Sequence, residues 1–186
     1  PGVGGSIGYY GSFQDNNTQT ASVINTAYAM KFHVTDYAIG MSIQNNGSGD
    51  PTRIKVNNAG VYNLQFSSQF QDTGGGGSGT NVWIWFAING TAVADSATQI
   101  SVANSSPFVV PAWNFVTPLN ANDYMEIYWS TDNINIQMVG LASSSPVPQI
   151  PSVIATLTQI AYSTSGYSGY SGISGYSGFS GISGYS

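Results

Sequence analysis

Glycine stands at every third position over the last stretch of the chain, at Gly166, Gly169, Gly172, Gly175, Gly178, Gly181 and Gly184. Three polyproline-II chains wound on one axis leave room there only for hydrogen, so an unbroken period of three is the pattern that such a triple helix requires. Tyr, Phe or Ile fills the second place of each triplet and Ser the third. Proline is absent from these triplets, so nothing pre-sets the backbone dihedral, and a triple helix needs help from a neighbouring domain. A flexible Gly/Ser linker is the alternative. Such a linker needs neither a large apolar residue per triplet nor strict phase. Gly2, Gly5, Gly8 and Gly11 repeat the phase more faintly. The expected organisation is a collagen-like lead-in over 1–12, a globular domain over 13–162 and a collagen-like repeat over 163–186. With Pro1 in first place, the chain reads as a processed product or an excised piece.

The middle segment, about 150 residues, is long enough to bury roughly 70% of its extended surface. It shows no helical period. Tyr28, Met30, Phe32 and Val34 alternate with Lys31 and His33. Tyr62, Leu64, Phe66 and Phe70 oppose Asn63, Gln65, Gln69 and Gln71, and Met125, Ile127 and Trp129 oppose Tyr124, Glu126 and Tyr128. Period two with one polar face predicts antiparallel strands. Further strands are expected near 41–44, 53–57, 91–102, 107–117, 134–140 and 152–161. Turn residues separate them: Asn46-Gly47, Asn58-Ala59-Gly60, the glycine-rich 74–79, Asn89-Gly90 and 120–123. Asn-Gly between apolar runs is the strongest short hairpin signal. The expected fold is all-β, a two-sheet antiparallel jelly roll.

One strand is apolar on both sides. Val82, Ile84, Phe86 and Ile88 make one face, Trp83, Trp85 and Ala87 the other. In a two-layer sandwich the outer face of such a strand needs cover. A partner subunit supplies it economically; a loop or terminus folded over the tryptophans is the other solution. The expected subunit interface is Trp83 and Trp85 with Tyr124 and Tyr128, in a homotrimer.

Composition narrows the chemistry. Charged residues are 6% of the chain, and three cations (Lys31, Arg53, Lys55) against eight acids give a net charge of −5. That leaves no basic patch for phosphates, so nucleic acid is not an expected partner. There is no cysteine, hence no disulfide scaffold or thiolate zinc site. No apolar run approaches the roughly 18 residues that a membrane helix needs, and no membrane insertion is expected. The single histidine, His33, lies on an alternating run beside Lys31 and reads as a surface or interface residue. There is no Gly-x-Ser-x-Gly elbow, and 74–79 lacks the Lys-Ser/Thr of a phosphate loop. Asp123 and Glu126, three apart on a strand, point to opposite faces rather than across a glycosidase cleft. Asp132-Asn133 is a weak calcium candidate. No enzyme, cofactor or metal is expected. Carbohydrate binding has candidate loops at Tyr37, Asp72–Asn81, Asn104–Ser106 and Asp132–Asn135, where plain solvated loops are an equal reading.

Gly60-Val61-Tyr62-Asn63-Leu64-Gln65-Phe66, followed by an apolar strand and Asn89-Gly90, resembles the tumour-necrosis-factor-like jelly roll, and within it the globular head of complement component one q. Leu64 stands where that family usually has an aromatic. The resemblance implies a tight trimer and fusion to collagen-like repeats, although here triplets follow the head as well. A second resemblance, over nearly the whole chain, is to structural fibre proteins of tailed phages, notably those infecting marine cyanobacteria. Ala112-Trp113-Asn114-Phe115, Leu119-Asn120-Ala121-Asn122-Asp123-Tyr124, Tyr128-Trp129-Ser130 and Ile150-Pro151-Ser152-Val153-Ile154 carry it, together with the Gly-Tyr-Ser and Gly-Ile-Ser triplets. It implies a virion fibre or decoration protein: a trimeric bead and trimerisation unit between collagen-like stretches, located on the virion or outside the cell. Its implied partners are other copies of itself and other fibre, capsid or tail proteins. A receptor-binding head for surface polysaccharide is the runner-up, with a cell-surface glycan as partner. A non-viral bacterial surface or exosporium fibre is third.

Overall fold

The computed structural model describes residues 8–74, 79–103 and 108–162. Among these the chain forms strands and no helix: β1 Tyr10–Asp15, β2 Gln19–Thr20, β3 Tyr28–Ala29, β4 Val34–Ile39, β5 Met41–Asn45, β6 Pro51–Val56, β7 Gly60–Ser68, β8 Phe70–Asp72, β9 Asn81–Ile88, β10 Thr91–Ala92, β11 Thr98–Ser101, β12 Ala112–Leu119, β13 Tyr124–Thr131, β14 Ile136–Met138 and β15 Val153–Tyr162. Every strand pairing is antiparallel. A five-stranded sheet runs β12-β7-β15-β1-β4, and a seven-stranded sheet runs β10-β9-β13-β6-β5 with β11 beside β9 and β3 beside β13.

The alternating residues explain why two sheets form. Phe13, Leu64 and Leu157 from the five-stranded sheet and Ile84, Phe86, Ile127 and Trp129 from the seven-stranded sheet belong to one core. Phe86 meets Phe115 edge to face across the layers, ring centroids 3.9 Å apart. Each such side chain contributes about 1.5–3 kcal/mol by leaving water. This two-layer, all-antiparallel arrangement is compatible with a jelly roll.

Several expectations shift in detail. A third, small sheet, β2-β14-β8, stands beside the two expected ones in the pairing. Residues 28–34 keep their alternation, with Met30 and Phe32 buried, yet they are not one strand. The Met30 amide bonds to Ile127 and the Phe32 amide to Pro51. The segment crosses from β3 in the seven-stranded sheet to β4 in the five-stranded one, so its ladder partner changes while its inward face does not. The run expected at 91–102 is two strands, β10 and β11, parted by a turn with Asp95 at φ 59°. The run expected at 107–117 starts its ladder at Ala112. Asn89 (φ 51°) and Gly90 (φ 80°) form the hairpin turn between β9 and β10, both in the left-handed region that the sequence calls for.

The first strand begins at Tyr10, ahead of the expected domain boundary. Gly11 lies buried within it, and a Cβ there would run into the Phe13 ring and come 2.8 Å from Met41 Sδ. Sheet packing therefore accounts for Gly11 without a triplet phase. Tyr10 pairs with Thr158, and the Gln159 amide bonds to the Tyr9 carbonyl at 2.7 Å. The chain thus enters on β1 and leaves on β15 side by side, at one pole. The other end of β1, where Asp15 pairs with Val153, points to the opposite pole.

Candidate functional site

The four expected interface aromatics come together on the outer face of the seven-stranded sheet. Tyr128 sits directly across from Trp85. Their rings stack, centroids 5.8 Å apart and planes 13° from parallel. Trp83 donates its indole N–H to Gln99 Oε1 at 2.9 Å. Tyr124 lies under the Arg53 guanidinium, 4.4 Å from its ring centre. Between the two tyrosines Glu126 is almost wholly buried. It accepts hydrogen bonds from the Thr52 and Tyr128 hydroxyls and lies 3.7 Å from Arg53 Nε. Burial, and next the Glu126 charge, push the Tyr128 hydroxyl above the usual tyrosine range. All four aromatics are half-buried within a single chain, tied down by neighbours of their own subunit. The collagen-like glycines Gly166 to Gly184 lie outside the described residues.

A polar cleft of about 670 Å³ opens where the chain crosses between sheets. Tyr128, Ala27, Ala29, Lys31, His33 and Asp50 are among the residues that line it. At its base Asp15 occupies an inward position of β1, fully buried. Its Oδ1 accepts from the Asn17 amide and side chain, and its Oδ2 from Gln19. His33 Nδ1 lies 2.9 Å from the same Oδ2. A carboxylate accepts, so Nδ1 is the donor of this pair. Gln19 also bonds the Lys31 backbone in both directions, at 2.9 and 3.0 Å. Lys31 Nζ meets Asp50 Oδ1 at 2.8 Å, both half exposed.

The loops singled out for carbohydrate fare differently. Tyr37 projects from the edge strand β4, 72% exposed, outside the cleft. Asp132 spends both carboxylate oxygens on Asn81, at 2.9 and 2.7 Å. Asp72 receives Gly74 and Asn133. These residues lock the ends of β8, β9 and β13 to one another. Among the described residues no three His, Asp or Glu side chains gather as metal ligands. Residues 104–106 lie outside the described residues. Sequence reasoning did not find the cleft. One signal was present: Asp15 follows Gly11 and Phe13 on the buried parity of its strand, and a carboxylate at a core position needs several donors nearby.

No family model matches the chain, and no curated protein matches it.

Proposed function

We propose that the chain is the jelly-roll head of a homotrimeric fibre protein, of the kind that phage virions carry, with a collagen-like Gly-X-Ser stalk. The observation that carries this is the unbroken glycine period of three that follows the last strand after Tyr162. A triple helix without proline needs its three chains held together, and a trimeric head would do that by raising their local concentration. On this reading the protein is structural rather than catalytic, and works on the virion or outside the cell beside other fibre, capsid or tail proteins.

The geometry adjusts the reading in two ways. Entry and exit at one pole favour a head set on its stalk over a bead threaded in line. Three stalk strands must also converge, which favours the sheet that carries both chain ends as the one facing the trimer axis. That sheet exposes Tyr10, Tyr37, Ile39, Val116, Ile154 and Ile160, whereas the aromatic quartet opposite is half covered by its own subunit. The assembly with the five-stranded sheet inward is therefore the one proposed, and the Trp83/Trp85 face is its rival.

Sedimentation equilibrium tests the proposal. Three chain masses at micromolar concentration are expected, and a stable monomer would overturn it.

A further inference from the structure

We propose that the cleft beside Tyr128 binds a neutral, hydroxyl-rich sugar. Tyr128 has Trp85 across from it on β9 and Ala29 across from it on β3. Cross-strand partners share a face of the sheet, so one side of the ring rests on an indole and the other looks over a methyl group. The hydroxyl is fixed by Glu126 at 3.2 Å. The open side of the ring is thus a rigid apolar platform, oriented before any ligand arrives.

In the lining of the same cleft the Lys31–Asp50 pair sets a strong donor beside a strong acceptor. Each sugar hydroxyl both donates and accepts, so two neighbouring hydroxyls match such a pair. The pair cancels its own charge, and the buried Asp15 beneath it disfavours an anion. His33, tied by Nδ1 to Asp15, adds a polar ring to the lining. A volume of about 670 Å³ falls within the range of small-molecule sites and exceeds one pyranose ring, which points to a short oligosaccharide segment. The cleft lies toward the Asp15 end of β1, away from the pole where the chain enters and leaves. One chain forms all of it, so the site goes beyond the fibre proposal and stands without it.

Saturation-transfer NMR on the full chain tests this, with lactose, maltose and N,N′-diacetylchitobiose as probes at millimolar concentration. Transfer to at least one is expected, weakened about tenfold or more by Tyr128→Ala and by Asp50→Asn. Tyr37→Ala, outside the cleft, should leave it unchanged. No transfer to any of the three sugars would overturn the site. So would transfer that survives both cleft variants, or displacement of the sugar by inorganic phosphate. Should Tyr128→Ala fail to fold, Asp50→Asn carries the test, because its side chain is half exposed. Sedimentation of the same samples reports on assembly separately: a monomer that binds sugar keeps the site and overturns the trimer.

Discussion

The two outer faces of the sandwich invert what residue type alone suggests. The seven-stranded sheet presents two tryptophans and two tyrosines, yet each has a partner in its own subunit: a stacked ring, an amide, a carboxylate or a guanidinium. The five-stranded sheet presents mainly Ser12, Asn63, Gln65, Thr156 and Asn114. Among them stand Tyr10, Val116 and Ile154, each exposed. Large aromatics on an outward face mark an interface only where nothing nearby in the chain occupies them. Exposure after folding, not hydrophobicity, ranks candidate contact faces.

The sharpest test places a charge on each face. Ile154→Asp would bury an unpaired carboxylate at the proposed trimer contact, at a cost of several kcal/mol. We expect the trimer to weaken by about 100-fold or more, read by sedimentation equilibrium. On that proposal Trp85→Asp should remain trimeric and lose head stability alone, about 1 kcal/mol from the stacking with Tyr128 and a further share from the apolar area of the partly buried ring. The reverse outcome would make the Trp83/Trp85 face the interface.

Next in size is the buried acid under the aromatic face. Glu126→Ala removes the acceptor of the Thr52 and Tyr128 hydroxyls. A buried polar group left unsatisfied costs about 1–3 kcal/mol, and each kcal/mol lowers the melting temperature of a domain this size by about 2–4 °C. Gln65→Ala, exposed on the other face, should change stability by less than about 0.5 kcal/mol. Calorimetry showing equal losses would erase the distinction between a face built on internal partners and one left bare.

The contrast between the faces also shows what the sequence could carry. Parity along a strand is local, so the inward sides of β7, β9 and β13 were legible, as was the Asn89-Gly90 hairpin. Which strand pairs with which is not local. The Ser152 amide bonds to the Asp15 carbonyl across most of the chain, and the cleft exists only because β1, the crossing segment at 28–33 and the β5–β6 turn meet. Nor does parity reveal where the ladder partner changes, as it does at Met30 and Phe32.

A smaller effect is expected at Gly11, which separates a glycine needed by the sheet from one needed by a triplet. Gly11→Ala forces a methyl against Phe13 and Met41, and overpacking of this kind costs about 1–3 kcal/mol. The head should melt earlier while its oligomeric state holds. Wild-type melting would free Gly11 for a triplet role and reopen the lead-in over 1–12.

The smallest effect compares the two faces through pH. Burial raises the hydroxyl of Tyr62, which points inward from β7 and donates to the Asn58 carbonyl at 2.8 Å. Burial and then Glu126 raise that of Tyr128 on the aromatic face. An unfolded tyrosine ionises near pH 10, at about its reference value. Below that pH both states keep the proton and neither residue gives stability a slope. Above it the unfolded chain releases protons that the native chain retains, so stability falls as pH rises through the native values. Tyr62→Phe should flatten this alkaline decline. Tyr128→Phe should flatten it too, because burial and then the Glu126 charge hold that hydroxyl protonated. Thermal melts of the two variants from pH 8 to pH 11 read the difference. A decline left unchanged by Tyr128→Phe would mean that neither burial nor Glu126 holds the proton on the aromatic face.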